Sequence, residues 1–446
     1  MKEENKKYAE LAYDIIKDAS EKGSRLPGSE GERNFANYMG DKLKEIGIEP
    51  KKEEFAVSPR ASIGGIPIIG VIGLICCALV YFAGAIPAFW IAISFITIVT
   101  WVWIVSSIFF YKPWFDMFFK QKISQNVYGE LLPKDGEYDY TIFLSGHLDT
   151  SWNWKHSENA YKYRDKPIIG LIVTFGKVGA GAVAFALLSI FAFVFMIYAT
   201  ALYAGSDIAF DTFGENMATF QLVMYFLTPV IAFLQFFLIM WADKDPETAS
   251  RGAMDNASGI ALSYAVTKYF HDNPDKMPKR CRIIDLNVGS EEAGLKGSTA
   301  FGKEHKGEDI LKNAWNINID SVADKDYFEV VIKDDWQFCR FDTDLEKMFK
   351  DTFAELGIES KSGGCIHNPV GGADSTPMTR AGIKSVTFAA QNPTLTYYYH
   401  TWRDKADRFD AETIGTGFDV ILSVIDKIEK FQEEKGYRGP QTKLED

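Results

Sequence analysis

No Asp, Glu, Lys, Arg or His occurs anywhere from Ile63 to Phe110. That absence leaves no face for water over a run long enough for two membrane spans of about 20 residues each. Gly84 and Pro87 supply the turn between them. The same absence recurs from Val178 to Tyr203 and from Met217 to Trp241, so four transmembrane helices in two hairpins are expected. A basic excess is also lacking. The 446 residues carry a formal charge of -12, the wrong sign for displacing counterions from a phosphate backbone, and no nucleic-acid partner is expected. Cysteine is scarce: of five residues, Cys76 and Cys77 lie inside a span and Cys281, Cys339 and Cys365 are scattered. With neither metal-ligand spacing nor an even framework, reduced thiols are expected. Met1 to Ser20 is charged and helix-periodic without the apolar core of a signal peptide, so nothing here asks for secretion. There is no P-loop, internal repeat or low-complexity tract.

Aromatic residues, by contrast, are abundant at 14%, with 34 Phe and 10 Trp. Such a bias in an acidic chain points to two populations of sequence, one apolar and one hydrophilic. Lys51, Lys52, Arg60, Lys112, Lys120, Lys122, Lys162, Arg164, Lys166, Lys177, Lys244 and Arg251 all flank the hairpins on the side of the hydrophilic chain. The hairpin tips carry no Lys or Arg, and the second holds Asp207, Asp211 and Glu215. The positive-inside tendency then places the hydrophilic bulk and both termini in the cytoplasm. Tyr111 to Phe119, edged by Lys112 and Lys120, suits an interfacial segment at headgroup level. Gln221 and Gln235 read as contacts between helices; with no ionisable residue in the spans, an ion path is not expected.

The expected division is a discontinuous hydrophilic domain of residues 1–60, 112–167 and 242–446, with hairpins at 61–111 and 168–241. The domain reads as α/β. Asn5 to Ile16 and Glu30 to Ile46 have helical periodicity, the latter capped by Ser29. Asn126 to Leu131, Tyr140 to Leu144, Arg282 to Val288, Ala314 to Ile319 and Ser385 to Phe388 have strand length and apolarity, separated by helical segments such as Gly259 to Phe270 and Leu345 to Leu356. Such alternation predicts a largely parallel or mixed sheet covered on both faces.

Several polar groups sit where such sheets bind ligands. Ser145-Gly146-His147-Leu148-Asp149 follows the strand Tyr140 to Leu144 directly, at a carboxyl end. If strand geometry continues, His147 and Asp149 project to the same side, a common way of holding a metal-bound imidazole. Asp255 stands at the start of a Gly-flanked helix, Asp255-Asn256-Ala257-Ser258-Gly259, where a cap is the plainer reading. Glu291 and Glu292 end an apolar strand side by side, and like charges there call for a cation. One could be a ligand and its neighbour a general base. Asp320 ends another strand, and His400 follows an aromatic run. His147, Asp255, Glu292, Asp320 and His400 make a mixed nitrogen and oxygen set suited to two divalent metal ions, zinc or a similar metal. His156, His271, His305 and His367 lack such neighbours.

With these motifs in order, the sequence resembles the di-zinc aminopeptidases of metallopeptidase family twenty-eight. The matching stretches are Gly28-Ser29-Glu30-Gly31-Glu32-Arg33, His147-Leu148-Asp149, Asp255-Asn256-Ala257-Ser258-Gly259, Glu291 to Ser298, Asn318-Ile319-Asp320, Gly372-Ala373-Asp374 and Tyr399-His400-Thr401. The resemblance implies a zinc-exopeptidase-like mixed sheet flanked by helices on both faces, with the hairpins inserted in its loops. It implies one zinc on His147 and Asp320, another on Glu292 and His400, Asp255 bridging them, Glu291 as base, Asp149 orienting His147, and a cis peptide after Asp255. Arg251 and Ser375 depart from the family's common Pro and His, and Tyr397, Tyr398 and Tyr399 are candidates for stabilising an oxyanion. The implied activity is a membrane-anchored aminopeptidase acting on peptide substrates. The alternatives are a glutaminyl cyclase-like or carboxypeptidase-like relative, or a non-enzymatic receptor on the same fold.

Overall fold

The computed structural model describes residues 5–205, 214–242, 246–409 and 411–436. Asp207, Asp211 and Lys244 of the orientation argument, and the side chain of Glu215, lie outside the described residues. The sheet is built from β1 (Lys51–Val57), β2 (Lys122–Leu131), β3 (Tyr140–His147), β4 (Cys281–Val288), β5 (Ala314–Val322), β6 (Phe328–Asp334), β7 (Cys339–Arg340), β8 (Cys365–Asn368) and β9 (Lys384–Ala390). Their order is β1-β2-β4-β3-β5-β9-β6-β7, with β8 beside β6. The centre, β4-β3-β5-β9, is parallel, and both wings add antiparallel pairs. Strands β3 and β4 are buried along their whole length, as parallel strands covered on both faces must be. Helices Lys6–Glu21, Ser258–Asp272, Thr343–Glu355 and Ala411–Glu434 pack into the largest core cluster with the sheet.

The mixed α/β architecture matches the expectation, with extensions and additions. Strand β2 begins at Lys122, four residues before the apolar run, because its first residues pair with β1. Strands β1, β6, β7 and β8 have no counterpart among the expected strands; Lys-Lys-Glu-Glu-Phe-Ala-Val reads as a charged surface and becomes a half-exposed edge strand instead. Strand β3 stops at His147, so Asp149 lies two residues beyond its end.

Four helices are long and apolar enough to cross a membrane, at Ile63–Ala83, Ala88–Phe109, Pro167–Tyr203 and Ala218–Ile239. Their outward faces expose large apolar side chains such as Phe95 and Phe226, the latter 75% exposed, as lipid-facing residues would be. The third span reaches back past Val178 to Pro167, giving 37 residues where about 20 suffice. Its first turns pack on the hydrophilic chain, with Thr174 Oγ1 donating to Thr396 Oγ1 at 3.2 Å. Gln221 accepts from Trp90 Nε1 at 2.9 Å, and Gln235 donates to the Gly181 carbonyl at 3.4 Å, so both amides join helices as expected.

Close approach of the apolar helices needs glycine at some positions and not at others. A Cβ on Gly70 would lie 2.7 Å from Ile239 Cγ1 and 2.8 Å from the Gln235 carbonyl oxygen, whereas one on Gly179 would meet nothing within 4 Å. Gly70→Leu should therefore force the first and fourth membrane helices apart at a cost of about 1–3 kcal/mol, lowering the melting temperature in detergent. Gly179→Leu should leave it unchanged; equal melting of the two variants would contradict this packing.

Candidate functional site

The parallel strands end together on one edge of the sheet, and the chain places a polar residue at each end. His147 closes β3, Glu291 and Glu292 follow β4, Asp320 lies near the end of β5, and the segment after β9 leads to His400. Asp255 enters from the start of helix Ser258–Asp272, which lies across these strands. That helix comes very close: a Cβ on Gly259 would sit 2.0 Å from the Ile319 carbonyl oxygen, so only glycine fits. Asn256 fastens the contact by donating to the same oxygen at 2.8 Å and accepting from Gly259 N at 2.9 Å. The Asp255–Asn256 peptide is cis, as the resemblance implied.

Two groups of ligand-type atoms result, His147 with Asp255 and Asp320, and Asp255 with Glu292 and His400, each within 4.8 Å. Asp255 belongs to both. Its Oδ1 lies 2.9 Å from His147 Nε2 and its Oδ2 lies 2.8 Å from His400 Nε2. Asp320 Oδ1 is 3.8 Å from His147 Nε2, and Glu292 Oε1 is 2.9 Å from His400 Nε2. Glu291 belongs to neither group but lines the same cavity, about 240 Å3 in volume. Asp149 accepts from the backbone N–H groups of Glu291 and Glu292 at 2.9 and 3.0 Å, while its carboxylate stands 3.5 Å from His147 Nδ1. Its shortest bonds thus hold the turn bearing the two glutamates, and His147 Nδ1 is nearer the Asp149 backbone oxygen, at 3.2 Å.

Burial and crowding set the charge states. Burial pushes Glu291 well above the usual carboxylate range, and Asp374, Glu292 and Asp320 add to it against the pull of His147. Asp320 is pushed up to about 7, chiefly by burial. Burial acts on Asp255 in the same direction, but hydrogen bonds from the two imidazoles outweigh it and hold Asp255 below its ordinary value. Burial alone would lower both imidazoles; Glu292 and Asp255 instead hold His400 up at about 10, and Asp149 and Asp255 hold His147 well above its ordinary value. Six carboxylates thus compete for two imidazolium charges. His400 Nδ1 is also buried without a hydrogen bond. Such an excess of buried anionic donors fits divalent cations.

Several supporting residues carried no role in the sequence reading. Asp404 accepts from the Met254 and Asp255 N–H groups at 2.8 and 3.0 Å; its position four residues after His400 was the available signal. Glu32 accepts from Ser290 N at 2.7 Å and from Gly28 N at 2.8 Å, and Ser29 accepts from Glu32 N as the helix cap. Asp374 accepts from Ser298 Oγ at 2.5 Å. Trp154 packs edge-on against His400 with centroids 4.3 Å apart, and its ring also meets Tyr399, Phe175 and, at the foot of the fourth apolar helix, Trp241. Nothing local in the sequence marks Trp154. Ser290, Ser321 and His400 all have positive φ, 54, 60 and 55°, conformations uncommon outside glycine that collect at functional sites.

Residues 236–425 match the model of peptidase family M28. The M28 match contains Asp255, Glu291, Glu292, Asp320 and His400, while His147 and Asp149 lie upstream of it. Among solved structures, BSAP, a zinc aminopeptidase from Bacillus subtilis, is 13% identical over 94% of this chain and 95% of its own, with a TM-score of 0.51. A leucine aminopeptidase precursor from Bacteroides thetaiotaomicron is 14% identical over 94% and 96%, with a TM-score of 0.50. An aminopeptidase from Aneurinibacillus sp. strain AM-1 is 12% identical over 94% and 93%, also at 0.50. These likenesses are of fold, and they identify the mixed sheet as zinc-exopeptidase-like. No curated protein sequence matches the chain.

Arg25 ties the site segments to the first helix. Its guanidinium donates to the carbonyls of Leu148 (2.7 Å), Arg251 (2.9 Å) and Gly252 (2.9 Å), and burial pushes its pKa down to about 10. Arg25→Met should leave the Leu148 and Arg251 carbonyls without this partner, while Gly252 keeps its bond from Ala257 N, and cost about 3 kcal/mol or more. Denaturant unfolding of the full chain checks this; a loss under 1 kcal/mol on the order of a single surface contact would show that Arg25 is dispensable.

Proposed function

We propose that the chain is a membrane-anchored, two-metal aminopeptidase, with residues 1–60, 112–167 and 242–446 as a discontinuous catalytic domain and 61–111 and 168–241 as its anchoring hairpins. The reading rests most on Asp255, whose two oxygens address two different imidazoles while Glu291 stays outside both ligand groups. His147 and Asp320 would hold one divalent cation and Glu292 and His400 the other, with Asp255 between; zinc suits this set of donors. Bound there, the cations would supply polarisation of a peptide carbonyl and a lowered pKa for water.

Glu291 is the general base. Its carboxyl is buried among other acids and has a raised affinity for a proton, so it can take one from water and pass it to the leaving amine. Asp149 keeps Glu291 in place through the backbone and Asp404 does the same for Asp255. Tyr399 is the one of the three candidate tyrosines on the cavity wall. Burial holds its phenol well above the ordinary value, so it stays a hydrogen-bond donor suited to a developing oxyanion. A cavity of about 240 Å3 is smaller than the roughly 300 to 1,000 Å3 of pockets that enclose drug-sized ligands. It suits a terminal residue more than a chain running through.

Detergent-purified protein should contain two divalent metal ions per chain and release amino-terminal residues from peptides. Glu291→Gln should keep the metal and lose about 10²- to 10⁴-fold in kcat. Folded protein that binds no metal and releases nothing would instead favour a receptor on this fold; cyclisation of amino-terminal Gln without release would favour the cyclase.

The cytoplasmic orientation is part of the same proposal and is supported by the basic residues on the hydrophilic side. In intact cells, with Cys365 replaced by Ser, a cysteine at Ala85 should react with an impermeant maleimide from outside. One at Lys51 should react only after permeabilisation, and the opposite labelling would place the catalytic domain outside.

A further inference from the structure

One wall of the catalytic cavity takes no part in the hydrolytic chemistry. Strands β6 and β9 pair with Glu329 opposite Ala389 and Val331 opposite Thr387, and these four residues line the cavity together with Ile366 of β8. Phe328 and Val330, which alternate with Glu329 along the strand, belong to the main core. Glu329 is thus a carboxylate on an otherwise largely apolar wall.

It is only 5% exposed. Ser362 donates a hydrogen bond to it, the charged residue acting on it is Asp324, of the same sign, and burial pushes its carboxyl up to about 7. Among the described residues no Lys, Arg or His forms a salt bridge with it. A buried carboxylate without a counter-charge costs stability in its charged form unless it takes up a proton or a cation reaches it from elsewhere. The cavity is the route left, and its walls define what can arrive: Val331, Ile366 and Ala389 would cover a methylene stem, and Glu329 would meet a positive end.

We propose that Glu329 makes this cavity selective for an amino-terminal residue with a long cationic side chain, of the lysine or arginine class. The proposal rests on the aminopeptidase reading and names its substrate. Lys and Arg combine an apolar stem with a charged head, and a carboxylate in a specificity pocket selects that shape and charge. Glu329 lies outside both ligand groups, so it acts on substrate choice and not on the hydrolytic step.

Norleucine has lysine's carbon chain without the charge, which makes the pair a direct test. With aminoacyl-coumarin substrates, the wild type should prefer Lys over norleucine in kcat/KM. Glu329→Gln should lower Lys hydrolysis by about 10- to 100-fold and leave norleucine hydrolysis unchanged, which also shows that the variant folds. Equal use of both substrates by the wild type, or an equal loss on both in the variant, overturns the proposal.

A binding arm separates this proposal from the reading beneath it. Calorimetry on Glu291→Gln protein compares lysinamide with norleucinamide, with and without the added Glu329→Gln change. Tighter lysinamide binding that depends on Glu329 supports the selectivity even if no substrate is cleaved; equal binding of the two amides rejects it even if peptides are hydrolysed.

Discussion

Negative charge concentrated away from water is the constraint around which this molecule is organised. Asp149, Asp255, Glu292, Asp374 and Asp404 are all buried, close to two imidazoles and one buried guanidinium. An ionised carboxylate moved out of water costs several kcal/mol unless it is paired or hydrogen-bonded. The chain meets that cost in two layers. Asp255, Glu292 and Asp320 face the imidazoles in groups that fit cations. Asp149, Asp404 and Glu32 lie behind them and accept backbone N–H groups from Glu291 and Glu292, from Met254 and Asp255, and from Ser290. Each outer carboxylate therefore holds the backbone of a segment that presents an inner one, or of the turn beside it. Removing an outer acid would displace a site residue through the main chain without touching substrate.

The membrane hairpins enter this arrangement without breaking it, because each leaves and rejoins the sheet through loops. They do not remain apart from the site. Ile63 and Tyr111, at the two ends of the first hairpin, line the catalytic cavity, and Tyr111 packs against Gly294 just beyond the two glutamates. Trp154 donates its backbone N–H to the His400 carbonyl, while Lys155 N bonds to the Trp241 carbonyl at the end of the fourth helix. A tilt of either hairpin relative to the sheet would be felt within one residue of His400 or at the cavity mouth. The cavity is thus framed in part by the ends of the first apolar hairpin, and Trp154 links the His400 segment to the end of the fourth apolar helix.

Much of the site could be read from the sequence because it is local. A parallel strand that ends in His147 or leads into Glu291 and Glu292 announces itself by an apolar run followed by a charged residue, and no long-range information is needed to notice it. The membrane helices were legible for a similar reason, since the absence of charge is a property of a single segment. What escaped is assembled from distant parts. Strand β1 is charged and becomes a strand only by pairing with β2; β6 carries Glu329 and Lys333 and is stabilised by β8 and β9 on either side. Asp149 shows the limit of extending local geometry: the strand ends two residues earlier, and the carboxylate accepts from the glutamate backbone as well as facing His147.

This division has a chemical counterpart. Residues that would hold metal and move protons lie at the ends of the parallel strands and at a helix start, positions fixed by short motifs and close glycine contacts. The wall that would distinguish one substrate from another is made by β6, β8 and β9, where partner residues come from segments up to about 60 positions apart in the chain. Hydrolytic machinery can therefore persist while alternate residues of the strands beside it change, each change redirecting the cavity. A carboxylate at position 329 is tolerable on such a wall because its strand neighbours Phe328 and Val330 still pack into the core.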